Sequence, residues 1–234
     1  MNSACPVCGK NHLEIFDYVD FNKWCTGSPE KIQPIGLKVC YKICENCNFL
    51  FAPDLCQWSA NQFKAMIYND SYILYDPEYE QVRPAKSAEY IKSLYKKKNL
   101  GKHLDYGGGN GKLSEILIES GIDSTSYEPF SSSASSFPSS RFKFITAFEV
   151  FEHVPDPNKM MSNLAELLES SGLIVFTTLT NDKNIERGNK LDWWYAAPRN
   201  GHISLYSQKS LEILGSRHGF SYRNITDGLH AYSR

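Results

Sequence analysis

Apolar and polar positions change rhythm twice along this 234-residue chain. Up to residue 57 they alternate over short runs, as in Leu37-Lys38-Val39-Cys40-Tyr41 and in Phe49-Leu50-Phe51 before Pro53, which predicts short strands and turns. Between 58 and 99 the spacing becomes helical. Two helical segments flank a tyrosine-rich connection, Tyr68-Asn69-Asp70-Ser71-Tyr72, and the second spans about 85–98. From residue 100 short apolar runs and amphipathic runs take turns. Strands are predicted at 102–106, 124–128, 142–148 and 172–179, helices at 111–120, 157–169 and 207–218, and closing strands near 220–226 and 229–233. Asp156-Pro157 offers a capping carboxylate followed by a first-turn proline. The rhythm of this last region predicts an α/β domain built on a doubly wound, mostly parallel sheet.

Composition divides the chain at the same places. All seven cysteines precede residue 57. Cys5-Pro6-Val7-Cys8 and Cys44-Glu45-Asn46-Cys47 are paired knuckles, each turning two thiolates toward one point, and together they predict a tetrahedral zinc site closed to solvent. Four thiolates leave no open coordination position, so the metal is expected to be structural and to hold together a module with little core of its own. Neither knuckle has the strand–helix setting of a thioredoxin-like redox pair. Cys25, Cys40 and Cys56 lack paired spacing and are assigned to packing. The expected organisation is a small zinc-ribbon-like module at 1–57, a helical cap or connector at 58–99 and the α/β domain at 100–234.

Charge and hydropathy narrow the partners. The net charge of −1 gives no global field for nucleic acid or anionic membrane, and Lys96-Lys97-Lys98 closes a predicted helix, where cations complement the dipole. No apolar run approaches the roughly 18 residues that span a bilayer. The start, Met-Asn-Ser-Ala-Cys-Pro, lacks a basic segment followed by an apolar core, so a cytoplasmic location is expected.

The chemistry concentrates at Asp105-Tyr106-Gly107-Gly108-Gly109-Asn110-Gly111. An acid followed by Gly107, Gly109 and Gly111, between an apolar and an amphipathic run, makes a strand–turn–helix nucleotide site, and it suits S-adenosylmethionine. The glycines permit close backbone approach, and the acid can hold the ligand's ammonium group. Lys112 stands where a dinucleotide fingerprint needs glycine, and no Gly-Lys-Ser/Thr follows at P-loop spacing. About 20 residues on, Glu128 ends the next predicted strand, where one carboxylate accepts both hydroxyls of a ribose.

These residues make the chain resemble the class I S-adenosylmethionine-dependent methyltransferases. Asp105-x-Gly107-x-Gly109-x-Gly111 matches their first motif, Tyr127-Glu128-Pro129 their acidic second-strand end, and the 145–157 segment, Ile-Thr-Ala-Phe-Glu-Val-Phe-Glu-His-Val-Pro-Asp-Pro, their fourth-strand motif. The last is similar to the form in quinone-biosynthesis methyltransferases, which implies that Phe148 and Glu149 line the methionine side of the cofactor. The resemblance implies a Rossmann-like sheet over 100–234. It also exposes a departure: between Glu128 and Phe142 the family fits a further strand and two helices, whereas this chain has a serine-rich stretch read as a loop. The sheet is therefore expected to end at the Glu128 strand, with Tyr68 and Tyr72 closing a more open cofactor pocket.

The acceptor side is expected on the segment 193–207. Trp193 and Trp194 offer an aromatic platform, Arg199 a partner for an anion, and His202 a general base, with His153 as a second candidate. A cysteine-knuckle module before such a domain resembles the deoxysugar C-methyltransferases, implying a small-molecule acceptor of carbohydrate type, such as a sugar nucleotide or glycan precursor. Gly201 stands where those enzymes place the glutamate of a Glu-His pair. RNA methylation through the zinc module and a non-catalytic scaffold are the alternatives.

Overall fold

The computed structural model describes residues 4–25, 33–129 and 136–234. In chain order, β1 (Leu13–Asp20), β2 (Lys38–Cys44) and β3 (Leu50–Phe51) precede three helices, α1 (Ala60–Met66), α2 (Tyr72–Tyr75) and α3 (Val82–Lys97). Next come β4 (His103–Tyr106), α4 (Lys112–Glu119), β5 (Ser124–Tyr127), β6 (Phe142–Ala147), α5 (Pro157–Leu167) and β7 (Leu168–Thr177). The chain closes with β8 (Ser204–Leu205), α6 (Gln208–Arg217), β9 (Ser221–Thr226) and β10 (Leu229–Ser233).

The expected α/β architecture is present. The larger sheet has the order β5-β4-β6-β7-β10-β9, with β5, β4, β6 and β7 parallel and β10 antiparallel to both its neighbours. Phe142, Phe144, Ile145, Ile174 and Phe176 are fully buried, the pattern of central strands covered on both faces. Burying each such side chain stabilises the fold by about 1.5–3 kcal/mol. Met160, Met161, Leu164 and Leu167 of α5 share a core with Phe142, Ile145, Ile174 and Phe176, while Phe144 packs with Ile91 of α3 and Leu117 of α4 in another. Among the described residues no strand lies beyond β5, in line with the short connection from 128 to 142. Of the serine-rich stretch, residues 131–135 fall outside the described residues and 136–140 are irregular.

Local chemistry sets the helix ends. Asp156 accepts from the Lys159 amide at 3.0 Å with Pro157 in the first turn, and Lys96 and Lys97 lie in the last turn of α3. Ser59 and Gln62 form a reciprocal capping box on α1. The 58–99 segment differs from expectation in one respect: it forms three helices, because Tyr72 opens the short α2 and buries its ring against the molecule.

The smaller sheet is antiparallel with order β1-β2-β3-β8, so its last strand comes from residues 204–205, far along the chain. Further bonds tie the two regions: Ser207 Oγ donates to the Cys47 carbonyl at 2.5 Å, Asn181 Nδ2 to that of Asn48 at 2.8 Å, and Asn158 Nδ2 to that of Pro6 at 2.6 Å. Phe49 packs on Tyr206 with ring centroids 5.0 Å apart. No described helix is long and apolar enough to cross a membrane.

Candidate functional site

The turn after β4 is shaped by its glycines. Gly107 has φ +75°, and a Cβ there would lie 2.5 Å from Val150 Cγ2. Its amide donates to the Tyr127 carbonyl at 2.7 Å, and Gly109 donates to Glu128 Oε2 at 3.1 Å, so the turn is bound to the end of β5. Gly111, at φ +79°, is the residue that opens α4. Gly108, which sequence spacing did not single out, is equally constrained: a Cβ would sit 2.2 Å from Ser126 Oγ and 2.5 Å from Asp105 Oδ2. The unbroken run of three glycines was its available signal.

Asp105 is buried beneath this turn, and its Oδ1 accepts from Thr146 Oγ1 at 3.3 Å. Burial raises its pKa to about 7, opposed by the Thr146 hydrogen bond and assisted by the charge of Glu128. At the end of β6, Glu149 is a non-glycine residue at φ +54°. It is held there by Thr177, whose hydroxyl donates to Glu149 Oε1 at 3.0 Å, and by Arg83 Nη1 at 3.3 Å from Oε2. Arg83 of α3 also pairs with Asp76, linking the cap to the main sheet, a role with no sequence signal.

One cavity of about 1140 Å³ is lined by the predicted cofactor residues other than Gly111 and, of the predicted acceptor-side residues, by His153 and His202. Its walls include Asp105, Gly107, Gly109 and Glu128, Phe148 and Glu149, and Tyr68, Tyr72, His153 and His202. Tyr68 and Tyr72 meet edge to face at 5.2 Å, and the Tyr68 hydroxyl lies 3.1 Å from His153 Nδ1. A Cβ on Gly201 would meet that hydroxyl at 2.6 Å and His153 Nδ1 at 3.1 Å, at a residue whose φ is +84°. Glycine at 201 is thus what allows Tyr68 to reach into the site.

The two histidines sit 4.9 Å apart, ring centre to ring centre. His202 Nδ1 lies 2.8 Å from the Tyr195 carbonyl, which can only accept, so Nδ1 carries the proton and Nε2 is the accepting nitrogen, with Cys25 Sγ 4.0 Å from it. Burial pushes the His202 pKa down to about 4, the Tyr195 bond opposing, and the imidazole is neutral at pH 7. His153 is lowered as well, by burial first and by His202 next. Cys25, assigned to packing, places its Sγ 3.5 Å from His202 Nδ1, and burial keeps it a thiol. Glu152, quoted within the 145–157 motif but given no role, is fully buried and accepts from the Tyr195 hydroxyl.

The structure does not bring the expected acceptor platform to the cavity. Trp193 and Trp194 do not line the cavity; Trp193 is packed in the core beneath β2 and β8, and Trp194 is 51% exposed elsewhere. Arg199 also lies outside the lining. It is buried, donating to the Ile67 carbonyl and to Ser71 Oγ at 3.2 Å each and covering the Tyr75 ring at 3.7 Å, so its charge is used to fix the cap. Sequence alone could not separate a loop folded inward from one folded over the pocket.

The four knuckle cysteines converge. Cys5 and Cys47 sulfurs are 3.7 Å apart, Cys8 and Cys44 3.5 Å, and all four lie within 4.8 Å of one another. Zn–S bonds of about 2.3 Å in a tetrahedron require sulfurs about 3.8 Å apart, so the donor set fits zinc.

A family model described as a methyltransferase domain matches residues 74–225. Curated relatives include a ubiquinone biosynthesis O-methyltransferase of Coxiella burnetii (strain RSA 493 / Nine Mile phase I), 32% identical over 106 residues and covering 35% of this chain and 45% of that protein. Another, of Bordetella avium (strain 197N), is 26% identical over 137 residues, covering 46% and 56%. The chain therefore spans about half the length of the curated relatives it matches. Among solved structures, the plantazolicin methyltransferase BpumL in complex with SAH is similar with a TM-score of 0.52 at 16% identity, covering 77% of this chain and 94% of that one. Magnesium protoporphyrin IX methyltransferase (ChlM) from Synechocystis PCC 6803 with bound SAH gives 0.51 at 13% identity, covering 75% and 97%. At such identities the likeness is one of fold. With the glycine turn, the acid-ended second strand and the family match over more than half its length, the chain belongs to the methyltransferase-domain family and has the class I S-adenosylmethionine-dependent architecture.

Proposed function

We propose that this chain transfers a methyl group from S-adenosylmethionine to a hydroxyl oxygen of a small ring-bearing acceptor. The observation that carries the reading is the single cavity, which opens the glycine turn and the histidine pair onto the same space. Gly107 and Gly109 give backbone access, Asp105 takes the ammonium, Glu128 the ribose hydroxyls, and Phe148 and Glu149 flank the methionine side. When bound, S-adenosylmethionine supplies an electrophilic methyl on a sulfonium. The protein's part is alignment, exclusion of water and removal of the acceptor proton. Tyr68 and Tyr72 cover the junction, and Nε2 of His202 accepts the proton while Nδ1 stays bound to Tyr195. His153, next to it, orients Tyr68 and the acceptor.

Aromatic walls at Phe63, Tyr68, Tyr72 and Tyr79 favour a planar ring, such as a phenol or quinol. The curated relatives are named for O-methylation in ubiquinone biosynthesis. Gly201, whose place would have to be cleared of Tyr68 for a glutamate, further separates this site from the sugar C-methyltransferase pattern. Zinc held by Cys5, Cys8, Cys44 and Cys47 is assigned a structural role, at a distance from the chemistry. The test is to supply the purified protein with S-adenosylmethionine and either hydroxylated aromatic rings or nucleotide sugars, and to follow the demethylated cofactor and product mass. Methylated rings are expected. Turnover of nucleotide sugars alone would overturn the acceptor class, and an absence of cofactor binding would overturn the function.

A further inference from the structure

Beneath the glycine turn lies a buried polar chain that the proposed chemistry does not use. His103 on β4 is fully buried, with Nδ1 2.7 Å from Ser124 Oγ on β5 and Nε2 2.9 Å from Thr146 Oγ1 on β6. Thr146 in turn donates to Asp105 Oδ1, and Ser124 Oγ lies 2.9 Å from Ser114 Oγ on α4. Five side chains from four elements therefore form one continuous path ending on the carboxylate assigned to the cofactor's ammonium. A buried histidine in this place, bonded at both ring nitrogens, is costly unless its hydrogens are all used.

Each hydroxyl has one hydrogen and a neutral imidazole has one N–H, so the direction of the path is fixed by its end. With Asp105 ionised, the Thr146 hydrogen points to Oδ1, His103 must donate through Nε2, and Ser124 must donate to Nδ1. With Asp105 protonated on Oδ1, the oxygen that Thr146 bonds, the sense reverses: Asp105 donates to Thr146, Thr146 to Nε2, and Nδ1 to Ser124, which donates to Ser114. The proton His103 gives up at Nε2 is regained at Nδ1; the one added proton resides on Asp105.

We propose that His103 is a positioning residue which, by donating from Nε2 to Thr146, turns the Thr146 hydroxyl onto Asp105 and keeps that carboxylate ready for the cofactor's ammonium. This rests on the proposed cofactor reading. Burial pushes the His103 pKa down to about 3, so it is neutral throughout and acts by tautomer, not by charge. Glu128 after β5 is the charged group that opposes ionisation of Asp105; the cavity walls also carry Arg83, paired with Asp76 and Glu149, and Lys64, Lys86, Asp156 and Lys159.

Two measurements test it. Nitrogen NMR of histidine-labelled, ligand-free protein should show His103 as the Nε2–H tautomer at pH 9 and as Nδ1–H at pH 5; one unchanging tautomer across that range overturns the proposal, whether or not the protein binds cofactor. Calorimetry with S-adenosylmethionine should show His103→Leu and Thr146→Val within about threefold of wild type at pH 8 but at least about tenfold weaker at pH 6, with His103→Gln restoring most of the loss through its amide donor. Parallel pH profiles for all four proteins would overturn it. Should His103→Leu fail to fold, Thr146→Val, nearly the same shape, and the tautomer measurement decide the matter.

Discussion

The Tyr195 hydroxyl donates to Glu152 Oε1 at 2.6 Å, wholly inside the protein, while Glu152 Oε2 has no hydrogen-bond partner among the described residues. Burial, with the charge of Glu149 adding to it, raises the Glu152 pKa to about 8. Because the unfolded value is near 4.3, the native state holds a proton that the unfolded chain has lost between those limits. Stability from this group is present in full below about pH 4 and declines until about pH 8. Glu152→Gln keeps the shape and removes the titration. Its melting temperature should therefore rise relative to wild type from pH 5 to pH 8 and then hold a constant difference; melting curves at pH 5, 7 and 9 check this, and a constant difference throughout would contradict it.

Gly108→Ala tests the turn where its space is smallest. The new methyl would meet Ser126 Oγ and Asp105 Oδ2 well inside contact distance, so the carboxylate must move. Cofactor affinity should fall at least about tenfold, roughly 1.4 kcal/mol, with the zinc content unchanged. Calorimetry and metal analysis together read both.

Cys44→Ser removes one of four convergent sulfurs in a region that shares a sheet with residues 204–205 and hydrogen bonds with Ser207 and Asn181. Loss of bound zinc should lower the melting temperature by more than about 5 °C. Near the acceptor wall the effect should be larger than at the glycine turn: hydrogen exchange is expected to rise around 202–207 and to change little around 107–111.

His202→Ala separates base from scaffold. Turnover should drop about a hundredfold while cofactor affinity stays within about threefold, since His202 lines the cavity with its Nδ1 engaged by the Tyr195 carbonyl. Undiminished turnover would reduce His202 to a brace for Tyr195.

Much of the α/β domain was legible because local rules and global fold agree there. Alternating apolar runs gave the strands, Asp156-Pro157 the start of α5, and the spaced glycines with Asp105 and Glu128 the turn from β4 into α4 beside the end of β5, since positive φ and a strand-end acid leave marks in any single sequence. The shortened link after Glu128 even foretold that β5 would be an edge.

The sequence by itself determined the chemistry that depends on neighbours a few residues apart: the glycine turn, the cysteine knuckles and the helix caps. Tertiary structure alone decided which side of the 193–207 segment faces the cavity, turning Arg199 and Trp193 inward, Trp194 outward and His202 to the cavity. It also decided that Tyr68 comes from the cap to fill the space above Gly201, and that His103 reaches Asp105 through Thr146 of another strand. The reason is physical. Contacts across a sheet or between a cap and a loop join residues 40 or more positions apart, and their register is set by how whole elements pack, which no local spacing records.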